Sequence, residues 1–470
     1  MDMGAAEIAA AFRTGSISAR QTVHAALLRI DERNGAYNAF TDVTAARALA
    51  RADALDAARA DGAAPGPLAG VPFAVKNLFD IAGLPTRAGS KINRGLPPAT
   101  TDATLVQKLE AAGAILLGGL NMGEYAYDFT GESLHDGPSR NPHDLAHMTG
   151  GSSGGSGAAV AGGLVPLALG SDTNGSIRVP SAFCGLFGLK PTYGRLSRAG
   201  TFPFVAAFDH LGPFARSVED LALAYDAMQG ADAVDPAQAV QPVAASLPHF
   251  GEGAGADGLR IARLGGYFTK TGDPAVFAAV ARIAAALHAR ATAELPQADR
   301  ARSAGFLITM VEGAALHLER LQSRSADFDP AVRDRLVAGA MLPGVWVAQA
   351  QKFRSWFRRQ ALALFQHHDI LLAPATPCRA PRLGQTYMVL GGEEMLVRPN
   401  LGLFTQPISF IGLPVVTVPV WTSGENLPLG VQVIAAPWAE ATALRVAHYL
   451  EKAGVCAAPI ASFNPAGTKP

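Results

Sequence analysis

Two serine-bearing segments and one lysine are the residues of this chain best suited to nucleophilic chemistry. The first segment, residues 148–157, reads MTGGSSGGSG, and its five glycines allow backbone conformations that other residues avoid. Three interpretations are open: a flexible linker, a phosphate-binding loop, although no lysine follows the glycines, or a G-x-S-x-G turn that exposes Ser152 or Ser153. The apolar runs that follow favour a loop packed inside the fold. A serine turn of this kind also needs a distant histidine, and His210 is a candidate.

The second segment, residues 170–180, reads GSDTNGSIRVP and follows a predicted strand. The successive amides of Thr173, Asn174, Gly175 and Ser176 could form a concave nest of N–H donors. Such a nest stabilises the oxyanion of an acyl-transfer reaction. Ser176 would then lie at the lip of the nest, where its hydroxyl could attack a carbonyl. The alternative is a polar turn with an exposed serine.

Lys76 comes directly after an apolar run, in a chain that has eight lysines and 31 arginines. Burial at that position would lower the pKa of the amine and make a neutral base available. The alternative is a lysine at the end of a strand whose ammonium group reaches solvent.

The elements that would position these residues alternate between strands and helices. Short apolar runs at 71–75, 114–117 and 165–169 predict buried strands, and residues 102–112 between two of them predict a helix. This alternation predicts an α/β fold with a mixed, mostly parallel β-sheet covered by helices on both faces.

The rest of the chain adds helices at the amino terminus and more strands at the carboxyl terminus. Gly15 should end a first helix, and the capping box from Ser18 to Gln21 should begin a second one that stops at Asn34 and Gly35. Further helices are predicted at 44–61, 217–229, 274–293, 331–368 and 440–453, and further strands at 259–264, 369–373, 414–420 and 429–434. Residues 231–257 are loop-like, either a domain linker or a long surface excursion. We therefore expect one sheet with an inserted helical region.

Composition excludes several classes of protein. The chain has 470 residues with 39 basic and 39 acidic side chains, whereas nucleic-acid binders normally carry a basic excess. Its three cysteines lie far apart and form no CxxC pair, which argues against a zinc site or a disulfide framework. The longest apolar stretch, 157–170, is too short to span a bilayer. We expect a cytoplasmic protein that binds no metal and makes no direct contact with nucleic acid or membrane.

Residues 150–189 resemble, almost without interruption, the signature segment of the amidase signature family. Similar stretches occur at 66–80, 190–200, 209–223, 371–377 and 427–437, so the resemblance covers nearly the whole chain. It implies a single amidase signature domain over 1–470. Within it we expect N-terminal helices at 1–62, a catalytic core at 63–230, a linker and helical insertion at 231–368, and the C-terminal part of the core at 369–470.

The resemblance implies a Ser-Ser-Lys triad without a metal or an organic cofactor. The two serines of the family lie 24 positions apart, which selects Ser152 rather than Ser153 as the partner of Ser176. Ser176 would be the nucleophile, Ser152 the bridging serine on a cis peptide bond, and Lys76 the base. The amides of residues 173–176 would form the oxyanion hole. Asn174 departs from the family pattern, because many members have glycine there, but its backbone donor is unaffected.

Within the family the chain is most similar to the carboxybiuret hydrolases, on the evidence of residues 76–98, 170–200 and 431–440. That similarity implies a small, linear, acidic ureide as the substrate, which loses a terminal amide as ammonia. Arg178 could pair with the substrate carboxylate or, alternatively, with a buried acid such as Asp172. Tyr125 and Gln406 are further candidates for substrate contacts, and Asn77 could support the site or cap a loop.

Other functions remain open at this stage. The chain could be the glutamine amidotransferase component of a tRNA-dependent transamidosome, which shares the triad, or a broad-specificity aryl or aliphatic amidase. An inactive scaffold of the same fold is a non-enzyme alternative, against which the presence of all three triad residues argues. We expect a homodimer, and a small helical accessory subunit is a further candidate partner.

Overall fold

A computed structural model describes residues 2–250 and 255–463. The helices of the described residues are α1 (Ala5–Thr14), α2 (Ala19–Tyr37), α3 (Ala45–Ala60), α4 (Thr104–Ala111), α5 (Gly154–Ala161), α6 (Arg178–Cys184), α7 (Val218–Met228), α8 (Pro274–Ala286), α9 (Ala298–Arg324), α10 (Pro330–Ala340), α11 (Gly344–Leu364), α12 (Val397–Asn400), α13 (Gln406–Ser409) and α14 (Glu440–Lys452). The strands are β1 (Phe40–Val43), β2 (Pro72–Lys76), β3 (Ile115–Leu120), β4 (Glu132–Ser133), β5 (Gly137–Pro138), β6 (Arg140–Asn141), β7 (Asp144–Met148), β8 (Leu167–Asp172), β9 (Phe187–Lys190), β10 (His210–Ala215), β11 (Ile261–Leu264), β12 (Ala291–Ala293), β13 (Ile370–Pro374), β14 (Tyr387–Leu390), β15 (Glu393–Leu396), β16 (Val415–Val420) and β17 (Leu429–Ala435).

Eleven of the strands form one sheet in the order β1-β3-β2-β8-β10-β9-β16-β17-β13-β11-β12. Strands β3, β2 and β8 are parallel to one another, as are β13, β11 and β12, and the pairs between these two groups are antiparallel. The predicted mixed α/β sheet is confirmed, but the expected parallel majority is wrong. A continuous apolar run indicates that a strand is buried on both faces but does not indicate its direction. In this fold, helices cover the antiparallel strands as completely as the parallel ones.

The two faces of the sheet pack against different hydrophobic cores. Along β2, the side chains of Phe73 and Val75 belong to one core cluster and that of Ala74 belongs to the other. The same alternation occurs in β8, where Leu167 and Leu169 lie on the first side and Ala168 on the second. Because alternate residues of a strand point to opposite faces, both faces are covered here, as predicted.

The amino-terminal helices begin where the sequence indicates. Gly15 ends α1 with φ of 77°, and the hydroxyl of Ser18 accepts from the amide of Gln21 in the expected capping box. The predicted end of α2 is wrong, because the helix continues to Tyr37, whose buried side chain holds the last turn against the core. The left-handed residue that ends it is Asn38, with φ of 50°.

The second half of the chain departs further from the prediction. Helix α8 ends at Ala286 instead of continuing to residue 293, where the short edge strand β12 lies, and the long helix α9 was not predicted. Glycines lower the helix propensity of α9 and α10, but they let the two helices approach closely. A Cβ on Gly339 would lie 2.1 Å from the carbonyl oxygen of Met310. The predicted helix 331–368 is divided at Pro343 into α10 and α11.

Residues 231–257 were predicted to be loop-like, and the described part of this segment is. It contains one short 3₁₀ turn at Leu247–Phe250, and residues 251–254 lie outside the described residues.

None of the helices in the described residues is long and apolar enough to cross a membrane. Nor do the described histidine, cysteine, aspartate and glutamate side chains form a group that could hold a metal ion.

Candidate active site

Lys76 lies at the carboxyl end of β2, between the parallel strands β3 and β8, and its side chain is 0 % exposed. Its Nζ lies 2.7 Å from the hydroxyl of Ser152 and 2.8 Å from the hydroxyl of Ser171. Burial lowers the pKa of the amine to about 7, and this effect exceeds the opposing attraction of nearby aspartates. A neutral amine has one lone pair and two N–H groups, so it can accept a proton from one hydroxyl while it donates to the other.

Ser152 lies in the glycine-rich loop between β7 and α5, and the peptide bond that joins it to Gly151 is cis, as expected. The amide of Gly123 donates to the carbonyl oxygen of Ser152 at 3.2 Å. A Cβ on Gly151 would lie 2.4 Å from a carboxylate oxygen of Asp128, so a larger residue would displace the loop. The hydroxyl of Ser153 instead donates to the carbonyl of Ser171 at 3.2 Å. Of the two adjacent serines, the loop therefore brings Ser152 to the lysine.

Ser176 lies in the short connection between β8, which ends at Asp172, and α6, which begins at Arg178. Gly175 has φ of 145°, and a Cβ there would lie 2.2 Å from the hydroxyl oxygen of Thr405, so both conformation and space require glycine. No hydrogen bond to another described residue engages the amides of residues 173–176. These donors are therefore available to a ligand.

The side chains of this connection are held from two sides. The hydroxyl of Thr173 donates to Asp209 at 2.6 Å, and the amide nitrogen of the Asn174 side chain donates to Thr309 of α9 at 3.0 Å. The hydroxyl of Thr405 also donates to the carbonyl oxygen of Asn174 at 2.7 Å. The side chain that departs from the family pattern at position 174 thus anchors the loop to α9 and leaves the backbone donor free.

Beneath the connection, Asp172 and Arg178 form a fully buried ion pair. The guanidinium donates to both carboxylate oxygens of Asp172 at 2.9 Å, to the carbonyl of Thr405 at 3.1 Å, to Gln432 at 2.7 Å and to Ser409. Burial alone would raise the pKa of the Asp172 carboxyl, but the charge and hydrogen bonds of Arg178 hold it well below its usual range. Asp172 also accepts from the amide of Arg178, two residues after Ser176.

Ser176 lines a small inner cavity, together with Thr173, Asn174 and Gln406. Arg335 lines this cavity and also an outer one of about 380 Å³. Pro399 also lines both, so the two spaces are neighbours.

The structure brings together some of the other predicted residues and separates others. Gln406 borders the inner cavity and accepts a hydrogen bond from Arg302 at 2.8 Å. Tyr125 does not line the cavity, and its hydroxyl donates to Asn93 at 3.0 Å in the protein core. The proposed contact between Tyr125 and the substrate is therefore corrected.

The role of Arg178 as a partner of the substrate carboxylate is corrected as well. Its side chain is 0 % exposed, and all five N–H groups are engaged by protein atoms. The alternative interpretation, a structural pair with Asp172, describes the contacts. His210 lies with Nδ1 against the backbone carbonyls of Asp172 and Phe208, and no hydrogen bond among the described residues joins it to a serine hydroxyl, so its contacts do not support the serine turn with His210 as the base. Asn77 caps a loop by accepting from the amide of Gly89 at 3.0 Å.

Sequence reasoning missed Ser171 and Arg335. Ser171 had a usable signal, because β2 and β8 are adjacent parallel strands whose carboxyl ends meet at one edge of the sheet. A hydroxyl near the end of β8 is therefore close to a lysine at the end of β2. Arg335 had no such signal, because its position depends on the packing of α10 against residues far away in the chain.

The family model for amidases matches residues 21–444. The chain belongs to the amidase family. It is therefore an amidase, an enzyme that hydrolyses C–N amide bonds.

Two curated relatives and one solved structure show where this amidase lies within the family. It is 53 % identical to AtzE, a 1-carboxybiuret hydrolase subunit of Pseudomonas sp. (strain ADP), over 96 % of this chain and 99 % of the relative. It is 37 % identical to a glutamyl-tRNA(Gln) amidotransferase subunit of Moorella thermoacetica, with 93 % of each chain covered. A solved structure of a vestigial protein complex, concerned with the origins of an s-triazine catabolic enzyme, superposes with a TM-score of 0.95 at 52 % identity over 97 % of this amidase and 99 % of that chain.

The lowered pKa of Lys76 predicts the pH dependence of the amidase. Below a pH of about 7 the amine is protonated and cannot accept a proton, so kcat/KM should fall on the acid side with a midpoint near 7. Lys76→Ala should lower kcat by about 10²–10⁴-fold and remove this limb. Exposed Lys91, paired with Asp327, supplies the control substitution to alanine. A profile that stays level from pH 6 to 9 would contradict the assignment.

Replacing Arg178 should damage folding and leave substrate preference unchanged. Arg178→Met leaves Asp172 buried without its partner, and losing one member of a buried pair costs about 3–5 kcal/mol. Urea unfolding should show that loss, and the remaining folded enzyme should discriminate between acidic and neutral amides as the wild type does. A selective loss of activity on acidic substrates would restore the substrate-binding role.

Proposed function

We propose that this amidase cleaves the terminal amide of a small, linear, acidic ureide, 1-carboxybiuret or a compound of its kind, with Ser176 as the nucleophile. The observation that carries the catalytic part is the Lys76 amine at 2.7 Å from the Ser152 hydroxyl, beside a connection in which Ser176 lines a cavity. The neutral amine is the base, and Ser152 passes the proton to it.

The reaction proceeds through an acyl-enzyme. The Ser176 oxygen attacks the amide carbon while its proton moves to Ser152 and the proton of Ser152 moves to Lys76. The amides of residues 173–176 donate to the oxyanion. The relay then runs in reverse and protonates the leaving nitrogen, the C–N bond breaks, and ammonia departs. A water molecule, deprotonated by the same relay, hydrolyses the ester and frees Ser176.

Arg335 is the proposed partner of the substrate carboxylate. Its Nε donates to the carbonyl of Ala331 at 2.7 Å and its Nη2 donates to the carbonyl of Tyr127, while its Nη1 donates to no described residue. Arg335 lines both cavities, so an acidic group that enters from the outer cavity meets these free donors. Arg398 in the outer cavity adds positive charge, although it is paired with Asp128 at 2.8 Å.

The charges around the inner cavity favour an acidic ureide over glutamine. Glutamine carries an ammonium group beside its carboxylate and would need an acidic partner. The one carboxylate among the described residues of the inner cavity is Asp128, which already accepts from Arg398 at 2.8 Å and from the amides of Thr130 and Gly131 at 3.0 and 2.6 Å. The 53 % identity to a 1-carboxybiuret hydrolase subunit supports the same choice.

The same relatives support a partner protein in the form of an accessory subunit. The curated relative at 53 % identity is named as a subunit, and the similar solved structure is that of a protein complex. We therefore include a small accessory protein in the proposed function. The homodimer stays a prediction.

Ammonia release from a panel of amides tests this function. The purified chain should release ammonia from 1-carboxybiuret faster than from glutamine or an aryl amide, and Ser176→Ala should abolish release because no acyl-enzyme can form. Hydrolysis of glutamine in preference to the ureide would overturn the substrate assignment. Full activity of Ser176→Ala would overturn the nucleophile.

Arg335→Met tests the carboxylate contact. Hydrogen bonds to a charged group contribute about 1.5–3 kcal/mol, so KM for acidic substrates should rise about 10–150-fold, with little change for neutral amides. The matched control is Arg333→Met on the same helix, because Arg333 pairs with Asp334 at 2.9 Å and lines neither cavity. Equal effects of Arg335→Met on acidic and neutral amides would refute the contact.

A further inference from the structure

Tyr127 borders the inner cavity beside Ser176, at the end of a turn that begins at Gly123. Gly123 contacts the backbone of Ser152, and the carbonyl of Tyr127 accepts from Arg335. The turn that ends at Tyr127 therefore contacts both the loop that carries Ser152 and the arginine that the proposed function assigns to the substrate carboxylate.

The ring of Tyr127 is fixed in place from two sides. The guanidinium carbon of Arg335 lies 3.7 Å from the centre of the ring, and the ring of Phe204 lies 4.9 Å from it, centre to centre. A cation over an aromatic face at this distance is attractive, and the attraction grows when both groups leave water. Tyr127 is 5 % exposed, so little of the residue reaches solvent.

The hydroxyl of Tyr127 is buried and has no hydrogen-bond partner among the described residues. Leaving a buried hydroxyl without a partner destabilises a protein. Tyr127 lines the inner cavity and its hydroxyl is closed to water in this structure, so a ligand held in the cavity is the partner inferred for it. A ureide carries a second carbonyl and an internal N–H that match a phenol as donor and acceptor.

We infer that Tyr127 is a specificity-determining residue whose hydroxyl hydrogen-bonds the ureide portion of the substrate, between the scissile amide at Ser176 and the carboxylate at Arg335. This inference rests on the proposed function and adds the contact that distinguishes a ureide from a simple amide of the same charge. An acidic amide that has methylene groups in place of the inner carbonyl and N–H has no group there with which the Tyr127 hydroxyl could form a hydrogen bond.

Tyr127→Phe removes the hydroxyl and keeps the ring between Arg335 and Phe204. KM for 1-carboxybiuret should rise about 3–10-fold with kcat within about 2-fold. The KM or the inhibition constant of succinamate, which has one amide and one carboxylate joined by methylenes, should not change. The melting temperature should stay level or rise, because an unsatisfied buried hydroxyl has been removed.

Tyr125→Phe is the matched control in the same turn, because the hydroxyl of Tyr125 donates to Asn93 at 3.0 Å away from the cavity. It should lower the melting temperature and leave KM for both compounds unchanged. Unchanged KM for 1-carboxybiuret in Tyr127→Phe would overturn the inference, as would an equal rise for succinamate. Failure of the proposed function gives a different result, since the wild-type enzyme would then release no ammonia from 1-carboxybiuret.

Discussion

Removal of the Lys76 amine from water is the constraint on which the rest of the site depends. An ammonium buried at the edge of the sheet would lose its hydration, and burial therefore lowers its pKa to about 7 and favours the neutral form. Two hydroxyls then replace water around the nitrogen, from Ser152 on the glycine-rich loop and from Ser171 on β8. The fold that encloses the lysine therefore favours the form of the amine that can accept a proton.

The second support is the ion pair beneath the connection that carries Ser176. Asp172 ends β8 and Arg178 begins α6, so the pair fixes both ends of the turn between them. The guanidinium also reaches Thr405 and Gln432, which belong to the carboxyl-terminal part of the chain. Segments that are distant in sequence are therefore joined under the oxyanion donors, and the pair holds the backbone in place without touching the cavity.

The turn from Gly123 to Tyr127 contacts both the glycine-rich loop and Arg335. Its first residue contacts the backbone of Ser152, and its last residue accepts a hydrogen bond from Arg335 and stacks against its guanidinium. Arg335 belongs to α10, a helix of the second half of the chain. One short turn thus connects the loop that carries Ser152 to Arg335, the residue proposed to bind the substrate carboxylate.

Local patterns in the sequence determined the resemblance to the amidase signature, the lysine at the end of an apolar strand, and most helix starts, because caps, glycines and apolar runs act over a few residues. The choice of Ser152 as the partner of Ser176 came from that resemblance and stays a prediction. The local patterns also predicted a covered mixed sheet, but strand direction escaped them, since burial looks the same in parallel and antiparallel strands. Only the tertiary structure decided that the guanidinium of Arg178 pairs with Asp172 and that the hydroxyl of Tyr125 lies in the core. It also decided that Ser171, Tyr127 and Arg335 lie near the candidate site. Those outcomes depend on contacts between residues that are far apart in the sequence, and the local conformational preferences of the chain do not determine such contacts.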